Sequence, residues 1–236
     1  MEEPLGGRVI RETVNLPVPR AGLTADLTVP DGANGVVLFA HGSGSSRLSP
    51  RNRMVAGMLH SAGFATLLVD LLTSEEEAVD RVTGHLRFQI PFLADRLIAS
   101  VTWLAQNDAT RRMSIGCFGA STGSAAALVA AAQLPKTIAA VVSRGGRPDL
   151  VPPDVLQRVQ APTLLVIGGN DTPVIEMNKS AASYLRCLNK IVIVPGATHL
   201  FEEPNTLEKV GETSVGWFQE HLRWTPPAQF LGAPVS

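Results

Sequence analysis

The segment Met113-Ser114-Ile115-Gly116-Cys117-Phe118-Gly119-Ala120-Ser121-Thr122-Gly123-Ser124-Ala125-Ala126-Ala127 runs from a short apolar strand through Gly-x-Ser-x-Gly straight into an alanine-rich helix. A serine in such a turn takes a strained backbone conformation. The flanking glycines are needed because a side chain at either place would collide with a neighbouring strand or helix. The helix that follows points its positive end and its free amide hydrogens at any oxyanion formed beside the serine. Chemistry of this kind also needs an acid and then a histidine further along the chain, each just past a strand.

Both are present. Pro162-Thr163-Leu164-Leu165-Val166-Ile167 reads as a buried strand that ends in Gly168-Gly169-Asn170-Asp171-Thr172-Pro173. Asp171 therefore sits where a strand meets a loop and is the candidate acid; capping the next helix is its bland alternative, and Asp149 is the fallback. Lys190-Ile191-Val192-Ile193-Val194-Pro195 is the last strand, and Gly196-Ala197-Thr198-His199 follows it. Of the five histidines, His199 alone has both the order and the loop that a proton carrier requires.

Upstream, residues 8–18 and 23–29 alternate polar and apolar side chains about a Pro19-Arg20-Ala21-Gly22 turn, which predicts an antiparallel hairpin at the sheet edge. Val36-Val37-Leu38-Phe39-Ala40 predicts a strand buried on both faces, ending at His41-Gly42-Ser43-Gly44-Ser45-Ser46. Small residues there let backbone amides approach a ligand, so the loop either offers a second oxyanion donor at Ser43 or Gly44 or is an ordinary strand-to-helix turn. His41 either contacts substrate or shapes this loop through hydrogen bonds. Asp70 ends the strand Phe64-Ala65-Thr66-Leu67-Leu68-Val69 but precedes the serine, which favours a loop-forming role. Helices are expected over 51–62, from the acidic run Glu75-Glu76-Glu77, over 88–106 with Pro91 in its first turn, and near the C-terminal end around Trp217 and Phe218.

The strand over 137–143 ends in Arg144-Gly145-Gly146-Arg147-Pro148-Asp149, where Arg144 and Arg147 either hold a substrate carboxylate or are tied to Asp149. About a dozen residues separate this loop from the next strand, which leaves no room for a large lid.

At 236 residues and 45% hydrophobic content, one domain spanning 1–236 is expected, with a core over about 9–222 and a tail over 223–236. A net charge of -1 argues against nucleic acid as a partner. Met1-Glu2-Glu3-Pro4-Leu5-Gly6-Gly7 lacks the basic and apolar regions of a leader, and no apolar run approaches a membrane span; a cytoplasmic protein with no membrane partner is expected. Cys117 and Cys187 form no CxxC pair and no zinc spacing, so neither a metal nor an organic cofactor is implied.

His41-Gly42-Ser43, Gly119-Ala120-Ser121-Thr122-Gly123, and Asp171 followed by His199 together resemble the α/β-hydrolase superfamily, and within it the small, lidless enzymes related to dienelactone hydrolase. The chain departs from true dienelactone hydrolases in two places. Those use cysteine where Ser121 stands and glutamate where His41 stands. The resemblance implies a mostly parallel sheet with an N-terminal antiparallel hairpin, helices on both faces and no large lid. It further implies a serine esterase acting on a small ester through an acyl-enzyme on Ser121, with the amides of Ser43 and Thr122 as oxyanion donors. His41, Gly44, Arg144 and Arg147 remain candidate substrate contacts. Two rival readings stand beside hydrolysis: acyl transfer to an alcohol, amine or peroxide by the same triad, and a ligand-binding protein on the same scaffold.

Overall fold

A computed structural model describes residues 9–18 and 21–222. Pro19 and Arg20 of the hairpin turn, and the tail over 223–236, lie outside the described residues. Eight strands form one sheet: β1 (Ile10–Val18), β2 (Ala21–Val29), β3 (Gly35–Ala40), β4 (Phe64–Val69), β5 (Ser114–Ala120), β6 (Ile138–Arg144), β7 (Thr163–Gly168) and β8 (Asn189–Val194). Their spatial order is β1-β2-β4-β3-β5-β6-β7-β8. β1 and β2 pair antiparallel, as does β2 with β4, and every other neighbouring pair is parallel.

From β3 the chain moves outward to β4 and then returns to place β5 on the other side of β3. The crevice at the carboxyl ends of β3 and β5 is therefore the switch point at which an open parallel sheet binds ligands. The loop beginning at His41 and the turn at Ser121 face each other across it.

The parallel strands β3, β4 and β7 are buried along their whole length, which accounts for their unbroken apolar runs. Side chains alternate between two cores. Leu38, Cys117, Val141 and Leu165 face one side, covered by α3 (Ile90–Gln106), α4 (Thr122–Gln133) and α6 (Thr172–Ala182). Phe39, Phe118, Val142 and Val166 face the other, under α1 (Pro50–Ser61) and α7 (Thr206–His221). Phe39 and Phe118 meet there with ring centroids 4.8 Å apart. Cys117 lies wholly inside, and burial pushes its thiol up to about 12, in keeping with a small apolar residue.

The acidic run opens α2 (Ser74–Thr83), where Thr73 and Glu76 form a reciprocal capping box. Between β6 and β7 the described chain holds one 3-10 turn (Pro148–Leu150) and the four-residue helix α5 (Pro153–Leu156), so no large lid covers the switch point.

α4 is buried from Thr122 to Ala132, an all-round burial that its alanines permit by letting it lie close to the sheet. The approach is tightest at two glycines. A Cβ on Gly119 would run into the Ser124 backbone, and one on Gly123 into the carbonyl oxygens of Ala40 and His41. Neither obstacle is a flexible side-chain end. Gly123→Ala is expected to lower unfolding free energy by ~3 kcal/mol or more in urea titrations. Gly57→Ala, at an exposed site in α1 with open space around it, should be neutral or stabilising by up to ~1 kcal/mol.

Candidate active site

Ser121 occupies φ 50° and ψ −122° between β5 and α4, one of three described non-glycine residues with positive φ. The strain is contained by hydrogen bonds on both sides of the residue. Its N–H donates to Arg144 O (3.2 Å), while its carbonyl accepts from Ser124 Oγ (2.9 Å) and from Arg147 N (3.2 Å). Gly42 packs opposite, where a Cβ would stand 3.0 Å from that of Ser121.

Asp171 stands at the N-cap position of α6 but makes no capping hydrogen bond with its side chain. Its Oδ2 instead accepts from His199 Nδ1 at 2.7 Å, with the carboxylate largely buried and the imidazole about one-third exposed. With Nδ1–H donating to the carboxylate, Nε2 is the nitrogen left free to take a proton. The two loops are knitted together: Asn170 N donates to Ala197 O (2.9 Å) and Asn170 Nδ2 to Gly196 O (2.9 Å). Thr198 gives both its N–H (3.1 Å) and its hydroxyl (2.6 Å) to the Glu203 carboxylate, bonds that hold Glu203 below the usual carboxylate range.

The imidazole lies against Gly145, where a Cβ would come within 3.5 Å of His199 Nδ1 and Cε1; Gly145 itself has φ 50°. The residue before it, Arg144, is the one whose carbonyl receives the Ser121 amide. Residues 144 and 145 thus link His199 to the nucleophile turn: Arg144 O holds the Ser121 amide and Gly145 lies against the imidazole. In this conformation the Ser121 hydroxyl makes no hydrogen bond to the imidazole, a gap common before substrate enters and tightens such sites.

The other two aspartates near strand ends, Asp70 and Asp149, are committed elsewhere. Asp70 accepts from Arg47 N (2.6 Å) and pairs with Arg47 Nη1, which closes the small-residue loop. Asp149 holds Arg147 with two bonds of 2.8 Å. Arg144 turns the opposite way, into the core under α1 and α7. Its Nη1 lies 3.5 Å from Leu200 O and its guanidinium 5.8 Å from the centre of the Phe201 ring. Burial, with Arg51 nearby, pulls Arg144 down to about 10.

A cavity of about 370 Å³ opens beside the loop, walled by His41, Ser43, Thr122, Asp80, Arg87 and Leu93 among others; Gly44 is also in the wall, and neither Arg144 nor Arg147 is. Asp80 is buried, which opposes its charge, but hydrogen bonds from Arg87 Nε (2.6 Å) and from the amides of Arg87 and Leu86 hold its pKa below the ordinary value. This pair forms the cavity's outer wall. Nothing in the sequence around residues 80–87 marked it. No group of three His, Cys, Asp or Glu among the described residues could hold a metal ion, and no described helix is long and apolar enough to cross a membrane.

His41 is a neutral pin. Leu71 N–H donates to its Nε2 (3.0 Å), and an amide can only donate, so the ring proton sits on Nδ1 and is given to Gly42 O (2.9 Å). Desolvation lowers its pKa, against the raising pull of Gly42 O, Asp70 and Glu77.

The model of the family described as "Dienelactone hydrolase family" matches residues 23–222. The crystal structure of a dienelactone hydrolase from Anabaena variabilis is 54% identical, with TM-score 0.89 over 91% of this chain and 99% of that one. Est1E from Butyrivibrio proteoclasticus shares the fold at 18% identity and TM-score 0.74, covering 88% of this chain and 98% of its own. A protein of Mycobacterium tuberculosis H37Rv, provisionally named a phosphoribosyl transferase, is 54% identical over 206 residues, 87% of this chain. The chain spans 45% of that curated relative's length.

Because His41 has a lowered folded-state pKa, the unfolded chain binds the extra proton first. The stability His41 contributes is complete above its unfolded pKa of about 6.5 and is lost as pH falls below it. Urea midpoints from pH 8 to 5 should therefore fall more steeply for the wild type than for His41→Gln; parallel slopes would contradict the neutral pin.

Proposed function

Since the chain belongs to the dienelactone hydrolase family, we propose that it is a serine hydrolase that cleaves small carboxylic esters through an acyl-enzyme on Ser121. The observation that carries this reading is the Asp171–His199 pair, 2.7 Å apart, linked through Gly145 and Arg144 to a serine held in a strained strand-to-helix turn.

In the proposed reaction His199 Nε2 takes the Ser121 proton as Oγ attacks the ester carbonyl. Asp171 keeps the other ring nitrogen protonated and stabilises the imidazolium. The negative charge that develops on the carbonyl oxygen falls to the amides of Ser43 and Thr122, for which no backbone acceptor is found among the described residues. Thr122 opens α4, so the positive end of that helix adds to the same field. His199 then passes its proton to the leaving alcohol, and water attacks the acyl-enzyme by the same route in reverse. The cavity beside Ser43 reaches Thr122, the residue after Ser121, while Ser121, Asp171 and His199 lie outside its wall; its size and the short segment between β6 and β7 support a small ester. The transferase name of the longer mycobacterial relative belongs to a protein more than half of which lies outside the alignment, and no geometry at this site favours it.

On a panel of p-nitrophenyl esters of two to eight acyl carbons, Ser121→Ala should lose about five orders of magnitude in kcat while its thermal midpoint stays put. Asp171→Asn should lose roughly 10³- to 10⁴-fold, because the imidazole then settles in the wrong tautomer. Comparable turnover by wild type and Ser121→Ala would defeat the assignment. Product analysis with alcohol, amine and peroxide acceptors separates hydrolysis from acyl transfer.

A further inference from the structure

Two hydroxyls meet across the site with no task in the mechanism above. Ser43 Oγ and Thr122 Oγ1 lie 3.1 Å apart, although their residues are 79 positions apart in the chain. One lies in the loop pinned by His41, the other follows Ser121, and both stand in the wall of the cavity. They belong to the same two residues whose amides face the developing oxyanion.

Which hydroxyl donates follows from burial. Thr122 is 2% exposed, and Ser43 Oγ is the one hydrogen-bond partner of its hydroxyl among the described residues. If Thr122 accepted from Ser43, its own O–H would be left almost wholly buried with no acceptor among the described residues, an arrangement native structures avoid. If Thr122 donates, the hydrogen left over belongs to Ser43, which is exposed at the cavity. Thr122 is also β-branched and at the first position of a helix, so its side chain has little rotational freedom. Ser43 Oγ, by accepting, becomes a more polarised donor.

We infer that the Ser43 hydroxyl is a third donor to the carbonyl oxygen of the substrate, beside the two amides, and that Thr122 is the positioning residue that aims it. No proton is transferred in this step. The hydroxyl hydrogen-bonds an oxygen that turns from carbonyl to alkoxide and back, so the bond is strongest in the transition state and acts on kcat rather than on KM. A carbonyl group with a less charged oxygen gains less from it. The inference rests on Ser121 being the nucleophile, as proposed above.

The test uses the full chain and the esters already named. Ser43→Ala should lower kcat by about 10- to 100-fold with KM changed less than about threefold, a loss no larger than that for a principal oxyanion donor. Thr122→Val, which keeps shape and removes the hydroxyl, should lose part of the same factor, and Thr122→Ser should restore most of it. Because the two act as one unit, the double variant Ser43→Ala/Thr122→Val should be no slower than Ser43→Ala alone. Affinity for a trifluoromethyl ketone, which forms a tetrahedral oxyanion on the nucleophile, should fall in Ser43→Ala by the same factor as kcat/KM, with thermal midpoints unchanged. Ser43→Ala turning over at the wild-type rate, or losses that multiply in the double variant, overturns the inference while leaving the nucleophile intact. A wild type that hydrolyses none of the esters, with Ser121 unreactive to the ketone, overturns the underlying reading and this inference together.

Discussion

At Ser121 a strand buried on both faces turns, within one residue, into a helix buried on every side. The backbone there has a positive φ, a conformation that costs a non-glycine residue about 1–3 kcal/mol. It persists because its surroundings over-determine it: the carbonyl of Arg144 takes its amide, and Ser124 and Arg147 hold its own carbonyl. Glycine at 119 and 123 supplies the clearance, so α4 can press its alanines onto the sheet and present its first amides to the crevice. The placing of Ser121 at the crevice, the helix field beside it and the location of the cleft all derive from that one turn.

The parts around it are held by groups whose charge state is set by burial, as at His41, or by hydrogen bonds, as at Glu203 and Asp80. His41 could have been a base by residue type, yet an amide on one nitrogen and a carbonyl on the other keep it neutral and make it the pin of the loop that carries Ser43. Glu203 ties down the turn that carries His199 from outside, and Asp80 with Arg87 braces the far wall of the cavity. These carboxylates take several hydrogen bonds each, which keeps them charged and rigid where a single ion pair would be loose.

Three aspartates stand at or near strand ends on the carboxyl edge of the sheet, and side-chain chemistry alone does not tell them apart. Asp70 is engaged by Arg47 and Asp149 by Arg147, both guanidinium partners that fix a loop. Asp171 has the imidazole of His199 as its partner instead, and declines the helix-capping bond that its N-cap position offers. The loops over 168–171 and 196–199 can meet because Gly168 has no Cβ; one there would stand 2.5 Å from the carbonyl oxygens of Ala197 and Thr198.

What the sequence determined by itself was local and periodic. The apolar runs of β3, β4, β5 and β7, the Gly-x-Ser-x-Gly turn, and the chain order of serine, acid and histidine were all legible, because each depends on neighbours a few residues away or on burial of a whole strand. What tertiary structure decided was pairing over distance. That Arg144 turns into the core behind the site while Arg147 folds onto Asp149 could not be read from the loop's composition, since a strand's side chains alternate and only the packed faces say which way each points. The Ser43–Thr122 contact and the tautomer of His41 were hidden for the same reason: each joins segments whose distance in space is set by the order of strands in the sheet, not by their spacing along the chain.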